Sequence, residues 1–186
     1  MPECLDAVRQ ILAAARFAAE RHAAQRRKGA SAEPYVNHLL EVSELLARTS
    51  SDLDTNLIVA ALLHDTIEDV GVTRDEIAAR FGEDVAALVA EVTDDKSLPK
   101  EVRKALQIEN ASKKSLRAQT LSAADKTSNV RSIVESPPAN WSPERRAAYV
   151  RWACEVVEQY RNLDSRLAAE FEDAVRGAGP RPAAAS

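Results

Sequence analysis

The sequence predicts an all-α fold, a single helical bundle, on three observations. Of its 186 residues 45% are hydrophobic but only 4% aromatic, so the apolar content is mostly Ala and Leu, which favour helix. Glycines number five and β-branched runs are few, which leaves little for a sheet. Apolar residues also recur at three- and four-residue spacing along segments of helical length. A chain of this size can bury a sizeable core. Residues 1–176 are expected to form that one domain, and 177–186, with nothing to bury, to form a disordered tail.

The elements follow in order. Leu5, Val8, Ile11, Leu12, Ala15 and Ala19 predict a helix from about Cys4 to Gln25, closed by the basic break Arg26-Arg27-Lys28-Gly29. Pro34 suits the first turn of a second helix, Tyr35 to about Ala47, with Val36, His38, Leu39, Leu40, Val42 and Leu45 facing inward. A third runs from about Asp54 to Asp69. Thr73-Arg-Asp-Glu76 is a capping-box pattern opening a short helix to Gly82, and another starts at Asp84 and reaches Val92. Residues 93–98 form a polar connector, and Pro99 starts a charged helix to Ser112. Ser115–Glu135 and one long helix from Ser142 to about Val175, with Pro143 at its first position, complete the bundle. There is no internal repeat and no Gly-rich nucleotide loop.

Charge and cysteine content narrow the function classes. A net charge of −4 gives no global field for nucleic acid or an anionic membrane, so an anionic ligand needs a local cluster. No apolar stretch reaches membrane-spanning length, and the N-terminus lacks the basic-then-apolar order of a signal peptide. Cys4 and Cys154 are too few for a disulfide framework or a cysteine metal site, and read as small, at least half-buried side chains of a cytoplasmic protein. Composition leaves a homo-oligomer open.

The most informative segment is His64-Asp65-Thr66-Ile67-Glu68-Asp69, which sets four ionisable groups directly after the apolar run Leu57–Leu63. If that helix continues, His64 and Glu68 lie one turn apart, as do Asp65 and Asp69. Charge at the buried end of an apolar helix is costly unless paired, and a bound cation would offset the cost. Further candidate ligands fall on separate helices: His38 on the second, and Asp125, after the small residues Ser122-Ala123-Ala124, on the helix from Ser115. Facing helices of a bundle commonly build a metal site in this way, and two imidazoles with two carboxylates leave positions open for water or a phosphate oxygen. His22, near the end of an Arg-rich helix, reads as a solvated or structural histidine.

Taken together, Tyr35-Val-Asn-His38, His64-Asp65-Thr-Ile-Glu68-Asp69 and Asp125-Lys-Thr-Ser-Asn129 resemble the HD-domain metal-dependent phosphohydrolases. Within them the chain is similar to the hydrolase domain of the RelA/SpoT alarmone enzymes, and to their small stand-alone relatives. The likeness spans roughly Ala14 to Tyr160 and includes Arg27-Lys28, Thr93-Asp-Asp-Lys96-Ser-Leu-Pro-Lys100 and Trp141-Ser142. It implies an HD-type bundle and hydrolysis of the 3′-pyrophosphate of guanosine 3′,5′-bis(diphosphate), without an opposing synthetase activity. His38, His64, Asp65 and Asp125 would hold one divalent metal, Mn²⁺ in this family, although mixed N/O ligation also suits Fe²⁺, Zn²⁺ or Mg²⁺.

The resemblance assigns the remaining roles too. Glu68 and Asp69 would be the acid/base pair. Arg27 and Lys28 would stack on and cradle the nucleotide, since a guanidinium can lie on a purine while its charge faces phosphate. Lys96, Lys100 and Arg145 are candidates for the distal pyrophosphate, and Asn129, Ser132 and Tyr149 for base or ribose. Many relatives carry a larger residue, often aromatic or His, where this chain has Ser128. That departure keeps one rival in view, a phosphatase of NADPH or another nucleotide; a second rival, of a different class, is a non-catalytic nucleotide-sensing module. The presence of both Glu68 and Asp69 argues against the second.

Overall fold

The structure, a computed structural model, describes residues 2–52 and 54–179. Among these the chain forms ten helices: α1 (Pro2–Arg21), α2 (Val36–Thr49), α3 (Thr55–Leu63), α4 (Thr66–Val70), α5 (Arg74–Phe81), α6 (Glu83–Val92), α7 (Lys100–Ala111), α8 (Leu116–Glu135), α9 (Pro143–Val157) and α10 (Ser165–Gly177). Extended pairing among the described residues amounts to one isolated bridge, Arg26 with Pro34.

α3 is the centre. Every residue from Leu57 to Leu63 is buried, as expected of a helix hydrophobic all round, and it packs against α1, α2 and α6. Asp54 caps it, accepting the Leu57 N–H, and Thr73 caps α5 through the Glu76 N–H. α8 is the second spine, in contact with α2, α6, α9 and α10. Its residues Ser122, Ala123 and Ala124 are buried, and small side chains there let neighbouring helices come close.

Several expectations need correction. α1 is helical, but its buried face is Ala14, Phe17 and Ala18, with Leu5, Val8 and Leu12 exposed; it also ends at Arg21, before Gln25. Leu40 is exposed, not inward, and so is Cys4. The helix expected from Asp54 to Asp69 breaks at His64-Asp65. There His64 Nδ1 reaches Ala61 O at 2.7 Å and Thr66 Oγ1 donates to Leu63 O at 2.6 Å, so side chains compete for carbonyls a continuing helix would use.

The helix expected from Ser142 to Val175 is two helices. Asn162 adopts a left-handed conformation at φ 58°, which Asn tolerates better than most residues, and Asp164 then caps α10. The turn is pinned to α8 by Tyr160 Oη donating to Ser122 Oγ and by the Arg161 N–H donating to Gln119 Oε1. α10 folds back on α8. Gly177, the start of the expected tail, still belongs to α10, and residues 180–186 lie outside the described residues.

Candidate metal centre and nucleotide cleft

The break after α3 sets the geometry. Released from the helix, Asp65 sits at φ −97°, ψ 0°, and its side chain turns toward α2 and α8. The one-turn relation to Asp69 survives, because Asp65 O accepts the Asp69 N–H at 2.8 Å. His64 Nε2 lies 3.1 Å from Asp65 Oδ2 and 3.7 Å from Asp125 Oδ1. His38 Nε2 lies 3.2 Å from Asp125 Oδ1 and 3.7 Å from Asp65 Oδ2. Candidate ligand atoms of His38, His64 and Asp65 fall within 4.8 Å of one another, with Asp125 facing both imidazoles from α8.

These residues fit a divalent cation. Each ring has its Nδ1 engaged, His38 with Ser128 Oγ at 2.8 Å and His64 with Ala61 O at 2.7 Å, which is how ligating imidazoles are commonly oriented. Both Nε2 atoms are buried without a hydrogen-bond partner. The carboxylates are oriented in turn: Tyr35 Oη donates to Asp65 at 2.7 Å, and Asn129 and Lys126 donate to Asp125 at 2.6 and 3.0 Å.

The electrostatics agree. Burial opposes charge on both histidines. It prevails at His38, whose pKa is lowered, whereas at His64 Asp65 and Asp125 outweigh it and raise the pKa. Burial likewise opposes ionisation of Asp65 and Asp125, but His64 holds the first, and Lys126 with the histidines the second, below the usual carboxylate range. Such a site attracts positive charge.

Glu68 and Asp69 stand beside this cluster on α4. Glu68 Oε1 lies 3.4 Å from Arg103 Nη1 and 3.7 Å from Lys96 Nζ, and Oε2 accepts the Asp94 N–H at 3.4 Å. Burial first, then the charges of Asp65 and Asp94, push its carboxyl above the ordinary glutamate value. Asp69 accepts from Lys96 Nζ at 2.5 Å and from Gln25 Nε2 at 2.7 Å.

A cleft of about 280 Å³ opens next to Asp69 and is lined by Arg27, Lys28, Asn129, Ser132, Trp141 and Tyr149 among others. The loop carrying Arg27 folds back on itself, with Arg27 N donating to Glu33 O and Tyr35 N to Gln25 O. Its tip is pinned to the end of α8. A Cβ on Gly29 would stand 2.4 Å from Ser136 O, a spacing only glycine permits, and Ser31 N donates to Ser136 Oγ at 3.1 Å. Arg27 thereby reaches Asn129 Oδ1 at 3.1 Å, while Lys28 is exposed at the rim.

Arg145 and Lys100 lie over the Trp141 ring at 4.6 and 5.9 Å. The structure therefore gathers the sequence-predicted residues at one end of the bundle, with Lys100 and Arg145 reaching the cleft through Trp141.

Sequence reasoning missed other groups here. Lys104 lies over Trp152 at 4.4 Å and Tyr149 at 5.3 Å, and Lys126 over Trp152 at 5.0 Å. Burial and then neighbouring lysines lower the pKa of Lys104 and of Lys114, a crowding that an anion would relieve. Lys100, Arg103 and Lys104 at three- and four-residue spacing were the available signal. His22 is buried, not solvated: its ring stacks on Tyr35 at 5.2 Å and Nδ1 meets Gln25 Oε1 at 2.5 Å.

Comparison with known proteins places this site in a family. The HD domain profile matches residues 14–170. A Xenopus tropicalis protein named guanosine-3′,5′-bis(diphosphate) 3′-pyrophosphohydrolase MESH1 is 46% identical over 162 residues, covering 87% of this chain and 90% of that protein. The Drosophila melanogaster protein of the same name is 43% identical over 163 residues, covering 88% and 91%. A solved structure described as a metazoan ortholog of SpoT that hydrolyzes ppGpp superposes with a TM-score of 0.87 at 41% identity, over 91% of this chain and 96% of that one. A Listeria monocytogenes structure gives 0.65 at 32% identity, over 78% and 94%. The chain belongs to the HD domain family, in the branch that holds the MESH1 proteins.

Proposed function

We propose that the protein is a metal-dependent hydrolase that removes the 3′-pyrophosphate of guanosine 3′,5′-bis(diphosphate), giving GDP and pyrophosphate. The observation that carries this reading is the pair of buried imidazole Nε2 atoms without hydrogen-bond partners, facing two carboxylates, beside an acid pair and a cation-lined aromatic cleft. The names of its relatives point to the same substrate.

His38, His64, Asp65 and Asp125 would hold one divalent metal, with Mn²⁺ the proposed ion. When bound, such an ion lowers the pKa of a water and neutralises phosphate charge. Glu68 takes the proton of the attacking water as that water adds to the phosphorus on the ribose 3′ oxygen. The P–O3′ bond breaks, and the proton that Glu68 has taken passes to the departing oxygen, with Asp69 as the acid partner in that transfer. Arg27 lies on the purine, Lys28 meets phosphate, and Asn129, Ser132 and Tyr149 line the nucleoside. Lys96, Lys100 and Arg145 receive the distal pyrophosphate, joined by Arg103 and Lys104.

Among the described residues no helix is long and apolar enough to cross a membrane, and we place the protein in the cytoplasm, where a nucleotide is its small-molecule partner. The deciding experiment incubates Mn²⁺-loaded protein with guanosine 3′,5′-bis(diphosphate) and, separately, with NADPH. Stoichiometric GDP and pyrophosphate from the first, at higher kcat/KM than phosphate from the second, is expected. The reverse order would move the assignment to NADPH, and turnover of neither would refute the hydrolase reading.

A further inference from the structure

The two imidazoles are oriented by different means. His64 Nδ1 meets a main-chain oxygen, Ala61 O, an acceptor that no substitution removes. His38 Nδ1 meets a side chain, Ser128 Oγ at 2.8 Å, and Ser128 Oγ donates to Glu41 Oε2 at 2.6 Å. Glu41 lies on α2, one turn after His38, and its other oxygen lies 3.6 Å from Arg131 Nη1 on α8. Ser128 has no exposed surface, so no outside water competes for its hydroxyl. Glu41 lines a cavity of about 250 Å³ together with Asn37, Ser132 and Ser136.

A hydroxyl has one proton, and a carboxylate can only accept. With that proton given to Glu41, the serine oxygen is an acceptor toward His38, so Nδ1 must carry the imidazole proton and Nε2 must be bare. We propose that Ser128 and Glu41 are positioning residues that fix the tautomer and ring orientation of His38, presenting its Nε2 lone pair to a divalent cation. Neither residue touches the ligand site itself. The pair thus supplies from two side chains what Ala61 supplies to His64 from the main chain. The inference rests on the metal reading above for its purpose, but the tautomer it assigns belongs to the protein alone.

The test uses full-length protein labelled with ¹⁵N in its imidazoles, stripped of metal and held at slightly alkaline pH, with Mn²⁺ affinity measured in parallel by equilibrium dialysis. In the wild-type protein the His38 signals should report a proton on Nδ1. Ser128→Ala and Glu41→Ala should shift them toward the Nε2-protonated form and weaken Mn²⁺ binding by about 10- to 100-fold, the usual size of such an effect. Glu41→Gln, whose amide oxygen still accepts from the hydroxyl, should retain the wild-type tautomer. Thermal midpoints confirm that the variants fold, and a merely structural role would leave the tautomer unmoved. An Nε2-protonated His38 in the wild type, or Ala variants with wild-type tautomer and affinity, would overturn the proposal. A wild-type protein that binds no Mn²⁺ would instead refute the metal reading, with the tautomer measurement still deciding this one.

Discussion

Replacing Glu68 with Gln tests the acid/base assignment with little structural disturbance. The amide keeps the size of the side chain and can still accept the Asp94 N–H now held by Oε2 at 3.4 Å. What it loses is the charge facing Arg103 and Lys96 at 3.4 and 3.7 Å, and part-exposed pairs of that kind are commonly worth about 1 kcal/mol or less. A compensating gain follows from the raised pKa. A carboxyl whose folded pKa exceeds its unfolded value stabilises the fold below the unfolded pKa, and that contribution is lost as pH rises through the folded one. At neutral pH Glu68 is therefore a small cost that Gln removes.

The net change in stability should stay within about 1 kcal/mol, a shift of about 2–4 °C in thermal midpoint for a chain of this size. Turnover should respond on another scale. A general base is worth about a hundred- to ten-thousand-fold, or about 2.7 to 5.4 kcal/mol of activation free energy. The assay is pyrophosphate release under saturating substrate with protein of verified metal content. The wild-type kcat/KM profile adds an independent check: its acid limb should lie above the pH of an ordinary glutamate, because burial and the charges of Asp65 and Asp94 raise the Glu68 pKa. It should vanish in the variant. A fully metallated Glu68→Gln protein within tenfold of wild-type kcat would refute the assignment.

Other perturbations separate the remaining parts. Asp125→Ala should abolish stoichiometric metal in the purified protein, since it removes the carboxylate facing both imidazoles; retained metal at wild-type affinity would show that the ligand set is wrong. Arg27→Ala with Lys28→Ala should raise KM much more than it lowers the thermal midpoint, because the pair forfeits one hydrogen bond to Asn129 and a ring contact with Tyr35. An unchanged KM would return both to ordinary surface cations. Gly29→Ala should also raise KM, as the new Cβ would force the loop away from the Ser136 carbonyl; wild-type KM would show that the loop tip does not position Arg27. Glu170, whose pKa hydrogen bonds from Arg48 and Arg131 lower to about 2, ties α10 to α2 and α8. Its contribution, about 1 kcal/mol or less after solvent screening, is present above its ordinary value of 4.5 and lost as pH falls toward 2, so Glu170→Gln should flatten the acid decline in stability measured by urea unfolding.

The fold was legible where local chemistry and packing agree. Thr73 and Ser142 cap the helices they were expected to open, and the uniformly apolar run from Leu57 to Leu63 became the buried central helix. It was not legible where two faces compete. On α1 both Leu5-Val8-Leu12 and Ala14-Phe17-Ala18 have helical spacing, and the smaller set is buried. Hydrophobicity favours the first set; the close approach of α1 to α3 favours the second, and only the assembled bundle decides between them. The break around Asn162 had a local signal, Asn162-Leu163-Asp164-Ser165, but a continuous apolar period obscured it.

The candidate site divides along the same line. Residue types with few uses in a helix interior, His38, His64, Asp65 and Asp125, stand out against an Ala- and Leu-rich background because burying them without a purpose is costly. The structure brings them together through a break that the sequence alone read as continuous helix. Their supporting groups carry no such contrast: Ser128, Glu41 and Gln25 are ordinary on a helix or loop surface, and their use depends on which neighbours arrive from 44 to 90 residues away. Lys126 shows the limit most clearly. Next to Asp125 in sequence it resembles one member of a surface ion pair, yet it is buried, and its raised pKa follows from the Asp125 carboxylate outweighing burial. An ammonium so held lends Asp125 a fixed positive neighbour on the side away from the histidines, which keeps the carboxylate ionised and ready to face a second cation.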